Sequence, residues 1–148
     1  ASERLAGWMD ELGPAGAEVA FVFQEHPPDH GSPAIRRVLT SAERPTAMLC
    51  YSDAIALLVV REAAALGLRL SEDLSVVGFD SSPLMQHLGI ALTTVHQDIA
   101  GKGRVAAATL IDAVEASRSG NHRPDRPPHV VLPAELVVRA STGPPPPL

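Results

Sequence analysis

Polar side chains that could hold a small ligand follow four apolar segments of this chain, at the points where those segments end. The segments are 19–23, 47–51, 74–79 and 92–95, and the side chains that follow them are His26, Ser52, Asp80 and Gln97. Carboxylate, amide, hydroxyl and imidazole groups all exchange hydrogen bonds with ligand hydroxyls and amines. These residue types therefore indicate a binding site for a polar organic molecule.

The same residue types also cap helices, because a Ser or Asp oxygen accepts a hydrogen bond from the first free N–H groups of a helix. For Ser52 or Asp80 taken singly, capping is a sufficient explanation. The coincidence at several segment ends favours a ligand site.

Metal and catalytic interpretations find little support in the sequence. Segment 25–30 contains two His and two acidic residues, but its Pro27-Pro28 pair forbids a helix that would place both His side chains on one face. Gly101-Lys102-Gly103 lacks the upstream Gly and the following Ser or Thr of a phosphate-binding loop. No nucleophile elbow is present either. We expect no metal, no cofactor and no catalytic residue.

Apolar segments of strand length alternate with helical patterns along the chain, which indicates an α/β fold. Three of these segments are apolar throughout, as expected of parallel strands covered on both faces. Helices are predicted over 2–12, 32–41, 52–66 and 99–117, and two further strands over 130–132 and 136–138. Ligands of open α/β sheets bind outside the carboxyl ends of the strands, where the polar residues are predicted to lie.

Composition narrows the class of protein. The 148 residues suffice for one domain or for part of a two-lobed protein. The single cysteine, Cys50, excludes an internal disulfide. With 17 acidic against 12 basic residues, this stretch by itself is a poor candidate for gripping nucleic acid. No signal peptide or membrane-spanning run is visible.

Several motifs, in order and at consistent spacing, carry a resemblance to a known family. They lie at 4–8, 44–47, 51–56, 67–69, 73–80, 92–97 and 132–142. Over residues 2–142 the chain resembles the C-terminal half of a LacI/GalR (lactose-repressor-type) transcriptional regulator.

The resemblance implies a periplasmic-binding-protein-like lobe in a cytoplasmic regulator that senses a small sugar-like or nucleoside-like effector. It further implies that most of the first lobe and a DNA-binding helix-turn-helix lie upstream. The implied parts are the C-terminal lobe at 1–97, a crossover helix of the first lobe at 98–120, strands returning to the C-terminal lobe at 121–142, and a disordered proline-rich tail at 143–148. The alternative is a sugar-binding receptor of a transport system with the same fold.

Site residues are implied one by one. Arg4 lies where the family places an effector-binding arginine, and Asp80 matches its ligand carboxylate. Gln97 matches a polar residue at the crossover between lobes. Ser52 stands where Asn is common, and His26 stands where an aromatic residue often stacks on the effector.

The family also implies a homodimer formed partly through the second lobe. The matching residues are Ile55, Leu58, Leu84, Met85 and Leu88. A separate apolar stripe on the helix at 99–117 needs a covering partner. We expect that stripe to be exposed or covered by another copy of the chain.

Overall fold

A computed structural model describes residues 2–14, 32–119 and 129–145 of the chain. The helices in these segments are α1 (Ser2–Leu12), α2 (Pro33–Leu39), α3 (Asp53–Ala65), α4 (Pro83–His87) and α5 (Ile99–Arg118). The strands are β1 (Ala47–Leu49), β2 (Ser75–Asp80), β3 (Thr93–Gln97) and β4 (Ala134–Val137). Each of the described helices is too short or too polar to span a lipid bilayer.

The described strands form one sheet in the order β1-β2-β3-β4. The parallel arrangement predicted from the apolar segments is confirmed for β1, β2 and β3. β4 departs from it and pairs antiparallel to β3, with Gln97 opposite Ala134 and Thr94 opposite Val137. After α5 the chain enters the sheet beside the carboxyl end of β3, so β4 runs antiparallel to β3 along that edge of the sheet.

The core lies between the sheet and α3. Ala56, Val59 and Ala63 form the buried stripe of α3, and Val76 of β2 is fully buried as well. Ser52 caps the start of α3 by accepting a hydrogen bond from the Ile55 N–H at 3.3 Å. This packing holds β1 and β2 in a fixed register, so the positions of their carboxyl ends are fixed too.

The closing segment of the chain is hydrogen-bonded between β2 and β3. The buried Ser141 hydroxyl donates to the Val76 carbonyl at 2.6 Å and accepts from the Thr93 N–H at 2.7 Å. The Arg139 guanidinium donates to the Leu92 carbonyl at 2.6 Å. These bonds join the end of the chain to the two strands that carry Asp80 and Gln97.

Two predicted features differ from the structure, and one lies outside it. The strand predicted at 130–132 pairs with no other strand in the described part of the chain, and Val131 is 78% exposed. Gly143, the first residue of the predicted disordered tail, donates to Ser75 Oγ at 3.1 Å. The strand predicted at 19–23 is outside the described residues.

Candidate functional site

The candidate site lies where the carboxyl ends of β1, β2 and β3 meet. Asp80 is the last residue of β2 and Gln97 the last residue of β3. The Gln97 side-chain Nε2 donates to Asp80 Oδ1 at 2.9 Å. The two residues predicted separately from the ends of apolar segments are therefore in direct contact.

Arg4 of α1 contacts residues at the carboxyl ends of β1 and β2. Its guanidinium donates to the Tyr51 carbonyl at 2.6 Å. The guanidinium carbon also lies 4.0 Å from the centre of the Tyr51 ring and 3.7 Å from that of Phe79. Two aromatic faces and a carbonyl thus fix the position of this permanent cation.

The backbone at Asp80 is strained. Asp80 has φ of 104° and Ser81 has φ of 54°, a region that residues with a Cβ rarely occupy. The Ser81 N–H donates to Thr94 Oγ1 at 3.3 Å, which helps to hold the turn. Backbone strain of this kind is concentrated at ligand-binding and active sites.

A second carboxylate, Asp53, lies buried beneath the site. Its Oδ1 accepts from Thr94 Oγ1 at 2.7 Å and its Oδ2 accepts from the Ser82 N–H at 2.6 Å. Gly78 leaves room for this side chain, because a Cβ there would lie 2.2 Å from Asp53 Oδ1 and 2.8 Å from Leu92 Cδ2. Asp53 therefore ties β3 to the turn after β2 and supports the strained backbone.

No contact with Asp80, Gln97 or Arg4 is seen for Ser52 among the described residues, and the position of His26 is not described. Ser52 acts as the helix cap already described, which is the structural alternative that its residue type allowed. His26 lies outside the described residues.

Four residues at or beneath the site were not predicted as members of it: Tyr51, Asp53, Phe79 and Lys102. Tyr51 lies two residues after β1 and Phe79 lies just before Asp80, so the strand-end rule would have found both if it had been extended from polar to aromatic residues. The Lys102 Nζ donates to Gln97 Oε1, five residues upstream. Only its position in the first turn of α5 and its being the single lysine of the sequence could have drawn attention to it.

The described segments offer few groups for redox, nucleophilic or metal chemistry. Burial, reinforced by the Asp53 carboxylate, raises the pKa of the Cys50 thiol to about 12, so the thiol stays neutral. No group of three or more potential metal ligands occurs among the described residues. The arrangement is suited to hydrogen-bonding and stacking on a ligand.

The residues predicted at a dimer interface differ in how exposed they are. Leu84 of α4 and Leu88, which caps the end of α4, are 49% and 46% exposed, and Ile55 and Leu58 of α3 are half-buried. Met85 is only 2% exposed and belongs to the core, because it lies on the face of α4 that packs inward. We call the exposed residues Leu84 and Leu88 the α4 patch.

Comparisons with known proteins agree with the fold. Residues 2–142 match the family model described as a periplasmic binding protein-like domain. The HTH-type transcriptional repressor PurR of Yersinia pestis (strain Pestoides F) is 34% identical over 118 residues, which is 78% of this chain and 35% of that protein. The chain thus spans about a third of the length of this curated relative.

Solved structures of similar fold include regulators with bound sugars. The transcriptional regulator CelR in complex with cellobiose superposes with a TM-score of 0.79 at 31% identity, covering 95% of this chain and 42% of that one. A LacI family regulator from Arthrobacter sp. FB24, in complex with lactose, gives 0.77 at 26% identity, covering 95% and 49%. The similarity extends over nearly the whole chain and about half of each neighbour.

Proposed function

We propose that this chain, which belongs to the periplasmic binding protein-like family, is the effector-binding region of a LacI/GalR-type transcriptional regulator. In this role it senses a small sugar-like molecule and thereby controls operator binding. The observation that carries the proposal is the contact between Asp80 and Gln97 at the carboxyl ends of the parallel strands. We place this regulator in the cytoplasm and assign it a binding rather than a catalytic role.

The chemistry of the site suits a ligand with several hydroxyl groups. Asp80 Oδ1 is bonded to Gln97, and no described residue donates to Asp80 Oδ2. A carboxylate oxygen accepts hydrogen bonds only, so it selects a donor such as a hydroxyl. The Tyr51 ring beside Arg4 is 46% exposed and offers an apolar face to a sugar ring. The sugars in the CelR and Arthrobacter regulator structures are of this chemical kind.

We propose that α5 belongs with the first lobe of the complete protein. No residue of α5 is buried, and the exposed apolar residues that need a cover are Ile99, Leu110, Ile111 and Val114. An effector that contacts both lobes only in the closed arrangement stabilises that arrangement, so it increases the closed population at the expense of the open one. Operator affinity would follow from that change.

The α4 patch is our candidate for the homodimer contact. The exposed side chains of Leu84, in α4, and Leu88, directly after it, form a small apolar surface that a second copy could cover. Such a dimer would pair two DNA-binding modules on a two-fold operator.

Isothermal titration calorimetry of the full-length protein with cellobiose, lactose and a nucleoside such as guanosine tests the effector proposal. We expect at least one sugar to bind, and Asp80→Ala to weaken binding roughly tenfold to a hundredfold, because it removes a charged acceptor. Glu43→Ala is the matched control, since Glu43 is an exposed carboxylate that precedes β1 at the opposite end of the sheet. Equal affinity of Asp80→Ala and the parent protein would reject the assignment, and binding of guanosine alone would replace the sugar.

A further inference from the structure

Lys102 is a charged residue at the edge of the site to which the proposed function assigns no role. It is the only lysine in the printed sequence, where the other 11 basic residues are arginines. It lies in the first turn of α5, whose cap Asp98 accepts from the Gly101 N–H at 2.7 Å. Its ammonium donates to Gln97 Oε1, so it joins the start of α5 to the end of β3.

The Lys102 contact determines which way the Gln97 amide points. A lysine ammonium has three donors and no acceptor, so only the oxygen end of the amide can face it. The opposite, NH₂ end then faces Asp80 Oδ1, to which it donates at 2.9 Å. A flipped amide would place its NH₂ against the ammonium and its oxygen against the carboxylate, so the three side chains have one favourable arrangement.

As a consequence, Asp80 Oδ1 is bonded to Gln97, and Asp80 Oδ2 remains as an acceptor for a ligand. The φ of 104° fixes where the residue leaves the strand, and the Gln97 amide fixes how its side chain rotates. A ligand donor at Oδ2 then meets an acceptor already in place, which lowers the entropy cost of binding.

We propose that Lys102 is a positioning residue of the effector site, which acts through Gln97 to orient Asp80. Its part in ligand affinity rests on the proposed function, whereas its control of the Gln97 amide does not. Because Lys102 is on α5, the same hydrogen bonds link the crossover helix to the effector carboxylate.

Side-chain amide NMR on the full 148-residue chain tests the orientation without a ligand. The sequence has only three glutamines and one asparagine, so the four side-chain NH₂ pairs can be assigned by substitution. Lys102→Met removes the donors and keeps an unbranched side chain that is one atom shorter. We expect it to shift the Gln97 pair while the Gln86 pair, on exposed α4, stays in place. Lys102→Arg supplies donors only and should restore the Gln97 position.

Calorimetry of the full-length protein with cellobiose and lactose tests the effect on the site. Lys102→Met should weaken sugar binding about tenfold at unchanged melting temperature, and Lys102→Arg should recover most of the affinity. Arg118→Met is the control, because it removes a cation from the last turn of the same helix.

The outcomes separate this inference from the proposed function. An unchanged Gln97 pair in Lys102→Met, or an unchanged affinity for a sugar that the parent binds, would overturn the positioning role and leave sugar sensing intact. A shifted Gln97 pair with no sugar bound by any form would support the positioning role and reject the sugar as effector. Equal losses in Lys102→Met and Lys102→Arg would also count against positioning, since the donors would then be irrelevant.

Discussion

Gly78 and Asp53 form the support on which the Asp80 turn rests. The Asp53 carboxylate is 1% exposed and receives hydrogen bonds from β3 and from the turn after β2. It reaches both because Gly78 has no side chain in its way. A buried carboxylate is costly unless it is hydrogen-bonded, so displacing it would leave an expensive unpaired group.

Gly78→Ala is therefore expected to destabilise the chain by about 3 kcal/mol, since the added Cβ must move Asp53 or Leu92. Urea unfolding monitored by circular dichroism measures the change. Gly7→Ala is the matched control, because nothing lies within 4 Å of a Cβ at that position of α1. Removing a glycine from a helix interior should stabilise by about 0.5–1 kcal/mol. Equal effects of the two substitutions would show that Gly78 does not make room for Asp53.

The site residues that were predicted from the pattern of the sequence end or follow apolar segments, whereas Asp53 and Lys102, which were missed, act through a neighbouring side chain. Asp80 and Gln97 were predictable because each ends an apolar segment, and parallel strands bring such ends together. Asp53 and Lys102 were not, since a carboxylate after a strand is as consistent with a helix cap, and a lysine in a first helical turn is usually a surface residue. Their partners lie on elements whose spacing the sequence does not specify.

The closing segment shows how one element is held by side chains as well as by strand pairing. β4 pairs with β3, but the residues after β4 turn inward, and Ser141 inserts its hydroxyl between β2 and β3. The Val76 N–H also donates to the Ser141 carbonyl at 2.8 Å. Ser141 thus substitutes for strand pairing at the amino-terminal ends of β2 and β3.

Ser141→Ala should cost about 2–3 kcal/mol, because it removes the acceptor of the buried Thr93 N–H and the donor to the Val76 carbonyl. Hydrogen exchange of the Thr93 amide should accelerate in the same variant, which locates the loss at this element. Ser41→Ala removes a hydroxyl that donates to the Val38 carbonyl at an exposed turn and should change stability by less than about 0.5 kcal/mol. An unaltered Thr93 exchange rate would contradict the role given to Ser141.

The elements themselves were predicted where their ends carry strong local signals. Gly13-Pro14 follows the end of α1, and Ser52, one of two candidate caps in the sequence, caps α3 at Asp53. The prediction of a strand at 130–132 was wrong because apolar residues alone do not determine whether a neighbouring strand is available for pairing. The direction of β4 was also beyond local reasoning, since it depends on the edge of the sheet at which the chain returns from α5.

Two of the exposed apolar surfaces of the described molecule lie at α4 and on α5. The α4 patch has two leucines about half exposed, whereas the stripe of α5 has four apolar side chains between 42% and 65% exposed. Uncovered surfaces of this kind favour association, at roughly 25 cal/mol per Å² of apolar area buried. The larger surface on α5 should dominate when nothing else covers it.

We expect the 148-residue chain to self-associate through α5, so that sedimentation velocity shows a species larger than a monomer at micromolar concentration. Ile111→Glu places a charge in the centre of the stripe and should shift the distribution toward a smaller species, because burying an unpaired charge is costly. Leu88→Glu on the α4 patch tests the homodimer contact separately, and a monomer should result only when both substitutions are present. If the parent chain sediments as a monomer while hydrogen exchange shows α5 to be protected, the stripe needs no cover and its assignment to the first lobe loses its physical basis.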